Sequence, residues 1–267
     1  GTTVLPGGAP GAIAAAGAGP VDPAMDAVAA LEARFGHAPG LLRGWSGVGL
    51  ALLRLLDLGD VAGPDGLGAD LGRARLWAAA ATAVRLDARH TRVDQGVLTA
   101  RYGRRLLPYL GIGSAAVGLA AQAVLERAQP GELTEGESHR FAHLVAAAAA
   151  AARMPQVVGA GLLAGRSGIL AVSRRLSGAE GGRGAEPGGA RHTPMHVERL
   201  GWHAVTVPHP PAAGSPQARV LTGEFNLRLS CDLATGSAGA LVALAAGDPL
   251  CAVLAMPRAT PPGSGRP

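Results

Sequence analysis

Residues 228–246 read RLSCDLATGSAGALVALAA, and this stretch decides the fold. Its GSAG motif opens a run of small and apolar residues, a composition typical of a helix that is buried on all sides. The same pattern, in which a glycine, a variable residue and two small residues precede an apolar helix, occurs four times. The copies read GWSG from Gly44, GSAA from Gly113, GRSG from Gly165 and GSAG from Gly236. The repetition predicts a recurring structural unit, although intervals of 69, 52 and 71 residues are too irregular for a simple solenoid.

Other helical patterns lie between the four copies and carry Arg, Glu and His. The alternation predicts an all-α fold with two concentric layers, in which the glycine-motif helices are inside and the charged helices are outside. If the inner helices point one way, their N-termini gather at one end, where free N–H groups and helix dipoles favour an anion. Gly and Ser at the start of each inner helix would also allow close backbone approach and supply N-caps. The alternative is that the glycines only permit close packing of the helices.

Three local patterns predict further elements. Residues 134–137, TEGE, form a capping-box signature that opens a helix to about residue 153. Residues 93–98, VDQGVL, favour a small β-hairpin, and the Gly-rich segment 178–194 is typical of a flexible loop. His192 and His196 have the i, i+4 spacing of metal ligands on a helix, but Pro194 and the expected loop before it argue against a metal site.

Composition limits the classes of function. Apolar residues make up 48% of the 267 residues and charged residues only 16%. The net charge is +5 and all 24 basic residues are Arg, but these are scattered and aromatic residues are 3%, which argues against a nucleic-acid partner. The two cysteines, Cys231 and Cys251, form neither a disulfide framework nor a CxxC zinc pattern, which favours a reducing, cytoplasmic setting. No run approaches the roughly 20 apolar residues of a membrane span.

The ends of the chain have a different composition from its middle. Residues 1–20 and 258–267 are rich in Gly, Ala and Pro and are expected to be poorly ordered, flanking a domain over residues 21–257. The first residues, GTT, contain neither Met nor a basic segment. We therefore expect the chain to be a piece of a longer product.

The glycine motifs resemble those of a known family, the lanthionine synthetase C-like cyclase domains. RLSCDLATGSAG at 228–239 is most similar to the closing repeat of the class III lanthipeptide synthetases. LPYLGIGSA at 107–115 resembles their LPYLATGSAG repeat, GLLAGRSG at 161–168 resembles GLFAGRAG, and RGWSG at 43–47 resembles their earlier GPSG repeat. All four occur in the family's order, and the resemblance covers residues 22–257.

This resemblance implies a fold and a reaction. The fold would be an α/α toroid of inner and outer helices, of which this chain supplies about four repeats and is therefore incomplete. Kinase and lyase domains upstream in the same polypeptide would dehydrate Ser and Thr of a precursor peptide, since this chain has no VAIK, HRD or DFG motif. The cyclase-like domain would then help Cys thiols to add to dehydroalanine or dehydrobutyrine, giving lanthionine or labionin rings.

The resemblance also implies that no cofactor is used. Zinc-dependent members of the family hold the metal with two Cys and one His in motifs like WCYG and CHG. The corresponding motifs here read GIGS and GRSG and contain neither residue type. Class III members lack these ligands too, so a zinc-free cyclase is expected.

Without zinc, another group must activate the thiol, whose pKa is ordinarily near 8.5. The candidate bases are Asp232, just before the last glycine motif, and His203; the gathered helix N-termini could supply a positive field. The structural alternatives are a loop hydrogen bond for Asp232 and a half-buried position on an outer helix for His203. The turns expected to contact the substrate contain Gly44, Gly47, Gly113, Ser114, Gly165, Gly168, Thr235, Gly236 and Gly239.

Two other functions stay open at this point. The same domain could be a catalytically inactive module that binds the precursor peptide or stabilises its neighbours. An unrelated α/α toroid enzyme, such as a glycoside-processing one, would need paired carboxylates facing the cavity, and the inner motifs offer almost none.

Overall fold

A computed structural model describes residues 30, 32–34, 36–62, 72–103, 105–155, 157–180, 188–207, 218–222, 232 and 234–244. The chain divides into two compact units, residues 1–37 and 38–267. In the first unit, the Nδ1 atom of His37 lies 3.3 Å from the Glu32 carboxylate. The segments expected to be poorly ordered, 1–20 and 258–267, lie outside the described residues, as do both cysteines.

The second unit contains all the elements that follow. In chain order they are α1 (Trp45–Ala62), α2 (Arg73–Ala88), β1 (Thr91–Asp94), β2 (Val97–Tyr102), β3 (Arg105–Leu107), α3 (Ser114–Arg127), α4 (Glu135–Ala152), α5 (Arg166–Glu180), α6 (Gly188–Gly201), β4 (Ala204–Val207), β5 (Ala218–Leu221) and α7 (Ser237–Leu244). The strands form two antiparallel sheets, β1–β2–β3 and β4–β5. The described part of the chain is thus mostly helical, as the sequence predicted, with short strands added between the helices.

The helices form two layers. Each of the four glycine motifs starts an inner helix, and these pack in chain order: α1 on α3, α3 on α5 and α5 on α7. The outer helix α2 packs on α1 and α3, α4 packs on α3 and α5, and α6 packs on α5. Nearly every residue of α3 is buried, as expected for an inner helix of small and apolar residues. In the described part of the chain, no helix has the length and hydropathy needed to cross a bilayer.

Side-chain contacts show that the inner helices are parallel. Arg127, at the end of α3, is bonded through Nε and Nη2 to the Asp57 carboxylate in the second half of α1, at 2.9 and 3.0 Å. Arg175 of α5 pairs with Glu126 of α3 at 2.6 Å, again near the C-terminal half of each helix. Arg174 donates to the carbonyl of Ala243 near the end of α7, at 2.6 Å. The C-terminal halves therefore lie together, and the N-termini lie together at the other end.

Two local predictions are confirmed. The Thr134 hydroxyl caps α4 by accepting from the Glu137 amide, and the Glu137 carboxylate accepts from the Thr134 amide. Hydrogen bonds donated to the Glu137 carboxylate by the Thr134 amide and hydroxyl, followed by the charge of Arg85, lower the pKa of Glu137 from its ordinary 4.5. The expected hairpin at 93–98 is the β1–β2 turn, in which Gln95 and Gly96 both have positive φ.

Two other predictions are wrong. The segment 178–194 is not a loop throughout, because α6 begins at Gly188 and contains Pro194. Packing of this helix on α5, with Leu200 buried, outweighs the loss of one backbone hydrogen bond at the proline. The serines also do not cap two of the inner helices: α3 has no side-chain cap, and in the described part of the chain the buried hydroxyls of Ser46 and Ser114, at the starts of α1 and α3, have no hydrogen-bond partner.

Candidate functional site

The loops that carry the four glycine motifs are bonded to one another in chain order. The Leu42 amide donates to the Gly111 carbonyl at 2.9 Å, and the Gly113 amide returns a bond to the Pro39 carbonyl at 2.7 Å. The Gly111 amide donates to the Leu163 carbonyl at 2.6 Å. The Leu163 amide in turn donates to the Ala234 carbonyl at 2.9 Å. We call this end of the layered bundle the glycine end; it comprises residues 39–47, 107–116, 159–168 and 232–239.

The glycines of the first three motifs are required by close backbone approach. A Cβ atom on Gly44 would lie 2.5 Å from the Asp87 carboxylate and 2.7 Å from the Gly40 carbonyl oxygen, and one on Gly165 would lie 2.5 Å from the Gly161 amide nitrogen. These separations are far below van der Waals contact. Contact with the substrate stays a prediction for the motif glycines, all of which lie at the glycine end. They are Gly44, Gly47, Gly113, Gly165, Gly168, Gly236 and Gly239.

Asp87 binds the N-terminus of the first inner helix. It belongs to the last turn of α2 and is fully buried. Its Oδ1 accepts from the Trp45 amide at 2.7 Å, while its Oδ2 accepts from the amides of Ser46 and Gly40 at 2.7 and 3.0 Å. The carboxylate thus supplies the anion that the N–H groups and dipole of α1 favour. No local sequence pattern identifies Asp87 as a cap, because 41 to 47 residues separate it from these donors.

The N-terminus of α5 is satisfied by its own loop. The Arg166 and Ser167 amides donate to the carbonyls of Gly159 and Ala160, both at 3.1 Å, and the Gly168 amide donates to Gly161 at 3.4 Å. The Ser167 hydroxyl also donates to Ala160. An anion therefore has no open amide cluster at α1 or α5, and the expectation of free N–H groups is wrong for these two helices.

A buried polar cluster joins α5 to α6. The guanidinium of Arg166 donates from Nη2 to the Val157 carbonyl at 2.8 Å, and its Nη1 lies 3.4 Å from Nδ1 of His196. Because a guanidinium can only donate, Nδ1 accepts, so Nε2 carries the proton and donates to the Ala152 carbonyl at 2.8 Å. Burial, followed by the charge of Arg199, lowers the pKa of Arg166. His196 is therefore held as a neutral tautomer by protein groups and does not act as the metal ligand considered with His192.

The residues at the family's zinc positions do not fit a metal. The second motif offers Ile112 and Ser114, and the third offers Arg166, whose guanidinium cannot bind a cation. Cys231 and Cys251 lie outside the described residues.

The two candidate bases lie around the start of α7. Asp232 is exposed, and its carboxylate accepts from the Thr235 amide at 2.6 Å and from the Thr235 hydroxyl at 2.7 Å. His203 is partly buried just before β4, and its carbonyl accepts from Thr222 at 3.0 Å. The neighbouring β5 residue, Leu221, donates to the Ser237 hydroxyl at 2.8 Å. Through these bonds the two-stranded sheet links the His203 backbone to Ser237, the first residue of α7, which lies two residues after Thr235.

Comparison with known proteins adds one similarity. No family model matches the chain. Over 208 residues, or 77% of its length, the chain is 33% identical to a Streptomyces coelicolor protein described as "Probable SapB synthase". The chain spans 19% of the length of that protein. The similarity supports the resemblance to lanthipeptide synthetases that the glycine motifs indicated.

Proposed function

We propose that this chain is the cyclase-like domain of a class III lanthipeptide synthetase. In this role it assists the addition of Cys thiols to dehydroalanine or dehydrobutyrine of a precursor peptide, without zinc and in the cytoplasm. Kinase and lyase domains of the same polypeptide supply the dehydrated peptide. The observation that carries the proposal is the set of four glycine motifs in the family's order, whose loops are bonded in that order at one end of parallel inner helices. The similarity to the SapB synthase supports the same family.

The two-layer arrangement also supports an α/α toroid. Four inner helices contact one another in sequence, with an outer helix in each of the three intervals between them. This is the arrangement expected of consecutive repeats in such a fold. We propose that the described layers are an arc of the toroid.

The reaction needs a base and then an acid. The thiol proton moves to the base, the thiolate sulfur forms a bond to the β-carbon of the dehydro residue, and the resulting enolate takes a proton at its α-carbon. Asp232 and His203 are the proposed proton carriers, since both lie around the start of α7 at or beside the glycine end. Only a few per cent of an ordinary thiol is ionised at pH 7, so even a weak base at this position raises the rate.

The test is ring formation by the full synthetase acting on its precursor peptide. Free thiols are alkylated at timed intervals and counted by mass spectrometry, and dehydration is followed from the loss of water. Deleting this domain should leave dehydration of the peptide unchanged, but it should lower the rate of ring formation or change which residues are joined in rings. Unchanged ring rates and unchanged ring pattern after deletion would contradict the proposal.

A paired substitution tests the two residues. Asp232→Ala with His203→Ala should lower the ring-forming rate by about tenfold or more, within the range for general acid–base catalysis. His139→Ala with Glu198→Ala, which alters exposed residues of α4 and α6, is the matched control and should leave the rate unchanged.

The second candidate function is a peptide-binding scaffold without catalysis. The bonds from Thr235 to both Asp232 oxygens favour it, because they give this carboxylate a structural task in the turn before α7. If the Asp232/His203 double variant folds and forms rings at the normal rate while domain deletion abolishes them, the scaffold function is the correct one.

A further inference from the structure

The sheet β1–β2–β3 and the two residues before it carry most of the net charge of the chain. Residues 89–107 contain five arginines and one aspartate, a net charge of +4 against +5 for all 267 residues. The arginines of the whole chain are scattered, but this segment concentrates them. Such a concentration on one exposed element produces a local positive potential.

The strand register places two of these arginines side by side. The helix α4 packs on the face of β2 where Leu98 is buried, so Arg101 points to the opposite, outward face. Arg92 pairs with Thr99, and Leu106 pairs with Arg101. Arg92 and Arg101 are therefore diagonal neighbours on the outward face, a relation that corresponds to about 7–8 Å. Both are exposed, and Leu106 beside them has 63% of its surface exposed.

Among the described residues, no carboxylate forms an ion pair with Arg92, Arg101 or Arg105; Asp94, two residues from Arg92 on the same face of β1, is the one acidic residue of the segment. Arg101 donates from Nε to the Gly103 carbonyl at 3.1 Å, and Arg43 donates to the Tyr102 hydroxyl at 3.4 Å. In the described part of the chain, Arg92 and Arg105 form no ion pair. Like charges held next to each other on a sheet are destabilising, and an anionic partner would remove that cost.

This surface is continuous with the glycine end. β3 ends at Leu107, where the second glycine loop begins, and Arg43 immediately precedes Gly44 of the first motif. The bond from Arg43 to Tyr102 ties the end of β2 to that first loop. A chain segment lying on the sheet can therefore run directly to the glycine end.

We propose that the basic face, defined as Arg92, Arg101 and Leu106 with Arg43 and Arg105 at its margin, binds an acidic, extended segment of the peptide substrate. The inference rests on the proposed function. Carboxylates of the segment pair with the guanidinium groups, and its apolar side chains contact Leu106. Since β2 has six residues and strands rise about 3.3 Å per residue, the face spans about six residues of extended peptide.

The test measures binding of a defined probe to the full 267-residue chain. The probe is a fluorescein-labelled ten-residue peptide in which glutamate alternates with serine and leucine, and binding is followed by fluorescence anisotropy at low salt. A peptide with glutamine in place of glutamate and a single-stranded DNA of equal charge are compared with it. We expect the glutamine peptide to bind about tenfold more weakly or worse, and high salt to abolish binding of the acidic peptide.

Charge reversal locates the site. Arg92→Glu with Arg101→Glu should weaken binding of the acidic peptide by about tenfold or more. Arg75→Glu with Arg140→Glu changes the net charge equally at exposed positions of α2 and α4 and should change the affinity less than about twofold. Circular dichroism of both variants checks that each is folded.

Several results would overturn the inference. Equal weakening by both double variants would mean that only the overall charge matters. DNA binding as tight as that of the acidic peptide would assign the face to nucleic acid, and equal binding of the glutamine peptide would exclude charge recognition. If domain deletion abolishes ring formation but the acidic peptide does not bind, the binding role of the basic face is refuted and the proposed cyclase function is not. If the peptide binds but domain deletion leaves ring formation unchanged, the proposed cyclase function is refuted and binding by the basic face is not.

Discussion

Replacing Asp87 by alanine should destabilise the fold more than most single substitutions. Its buried carboxylate accepts from three backbone amides, those of Gly40, Trp45 and Ser46. Removing the acceptor leaves buried donors, each of which costs about 1–3 kcal/mol when it finds no new partner. Allowing for partial relaxation of the loop, we expect a loss of about 3–5 kcal/mol. Typical folding free energies are about 5–15 kcal/mol, so this is a large fraction of the total.

Urea unfolding followed by circular dichroism measures this loss directly. In thermal unfolding, the midpoint temperature should fall by roughly 6–20 °C, from about 2–4 °C per kcal/mol for a domain of this size. Asp87→Asn keeps one carbonyl oxygen as an acceptor and should lose about half as much. Glu198→Ala, at an exposed position of α6, is the control and should stay within about 0.5 kcal/mol.

A small effect would refute the reasoning. If Asp87→Ala unfolds within about 1 kcal/mol of the unaltered chain, the carboxylate does not hold the first glycine loop. If Asp87→Asn lowers the free energy of unfolding as much as Asp87→Ala does, the stabilisation comes from the negative charge at the helix N-terminus and not from the number of hydrogen-bond acceptors.

Three further outcomes follow from the packing and capping of the helices. The pKa of Glu137 is lowered, so its capping contribution to stability is complete above pH 4.5 and is lost as the pH falls through the folded-state pKa. With Glu137→Gln, the urea concentration at the unfolding midpoint should therefore fall less between pH 6 and pH 3 than it does in the unaltered chain. Gly118→Ala should destabilise the chain by about 1–3 kcal/mol, because its new Cβ would overlap the Cβ of Ala148. Gly136→Ala should instead stabilise α4 by roughly 0.5–1 kcal/mol, because its Cβ would meet no other atom. Equal effects of the two substitutions on urea unfolding would contradict this account. His196→Leu should cost about 2–4 kcal/mol, because it leaves a buried carbonyl and a buried guanidinium N–H without their partner, and thermal unfolding within 1 kcal/mol of the unaltered chain would show that the cluster contributes little.

Sequence patterns predicted the features that depend on neighbouring residues. The capping box at Thr134 and Glu137 and the turn at Gln95 and Gly96 involve groups three residues apart or fewer, so composition and spacing suffice to predict them. Burial of a helix of small and apolar residues was predicted in the same way and is found for α3. The prediction is wrong for α7, which buries Gly239, Ala240 and Ala243 but exposes Leu241 and Leu244.

Other features escaped prediction because propensity and packing disagree. The chain from Gly188 to Gly201 has Gly and Pro at positions that disfavour a helix, yet it is helical. Burial of His196 beside Arg166 of α5, and of Leu200 with Ala160 and Ala240, stabilises the helix by more than the local preferences cost. No window of sequence contains that contact.

The start of each inner helix could be predicted from the sequence alone, because each glycine motif is a pattern of only four consecutive residues. Only the tertiary structure decided what those motifs do. The Asp87 carboxylate reaches the first motif across 47 residues to Gly40, and the loops of successive motifs are bonded across intervals of about 50 to 70 residues. Such contacts depend on the parallel packing of whole helices, which brings distant backbone groups within hydrogen-bonding distance. A buried amide must then be paired wherever packing places it.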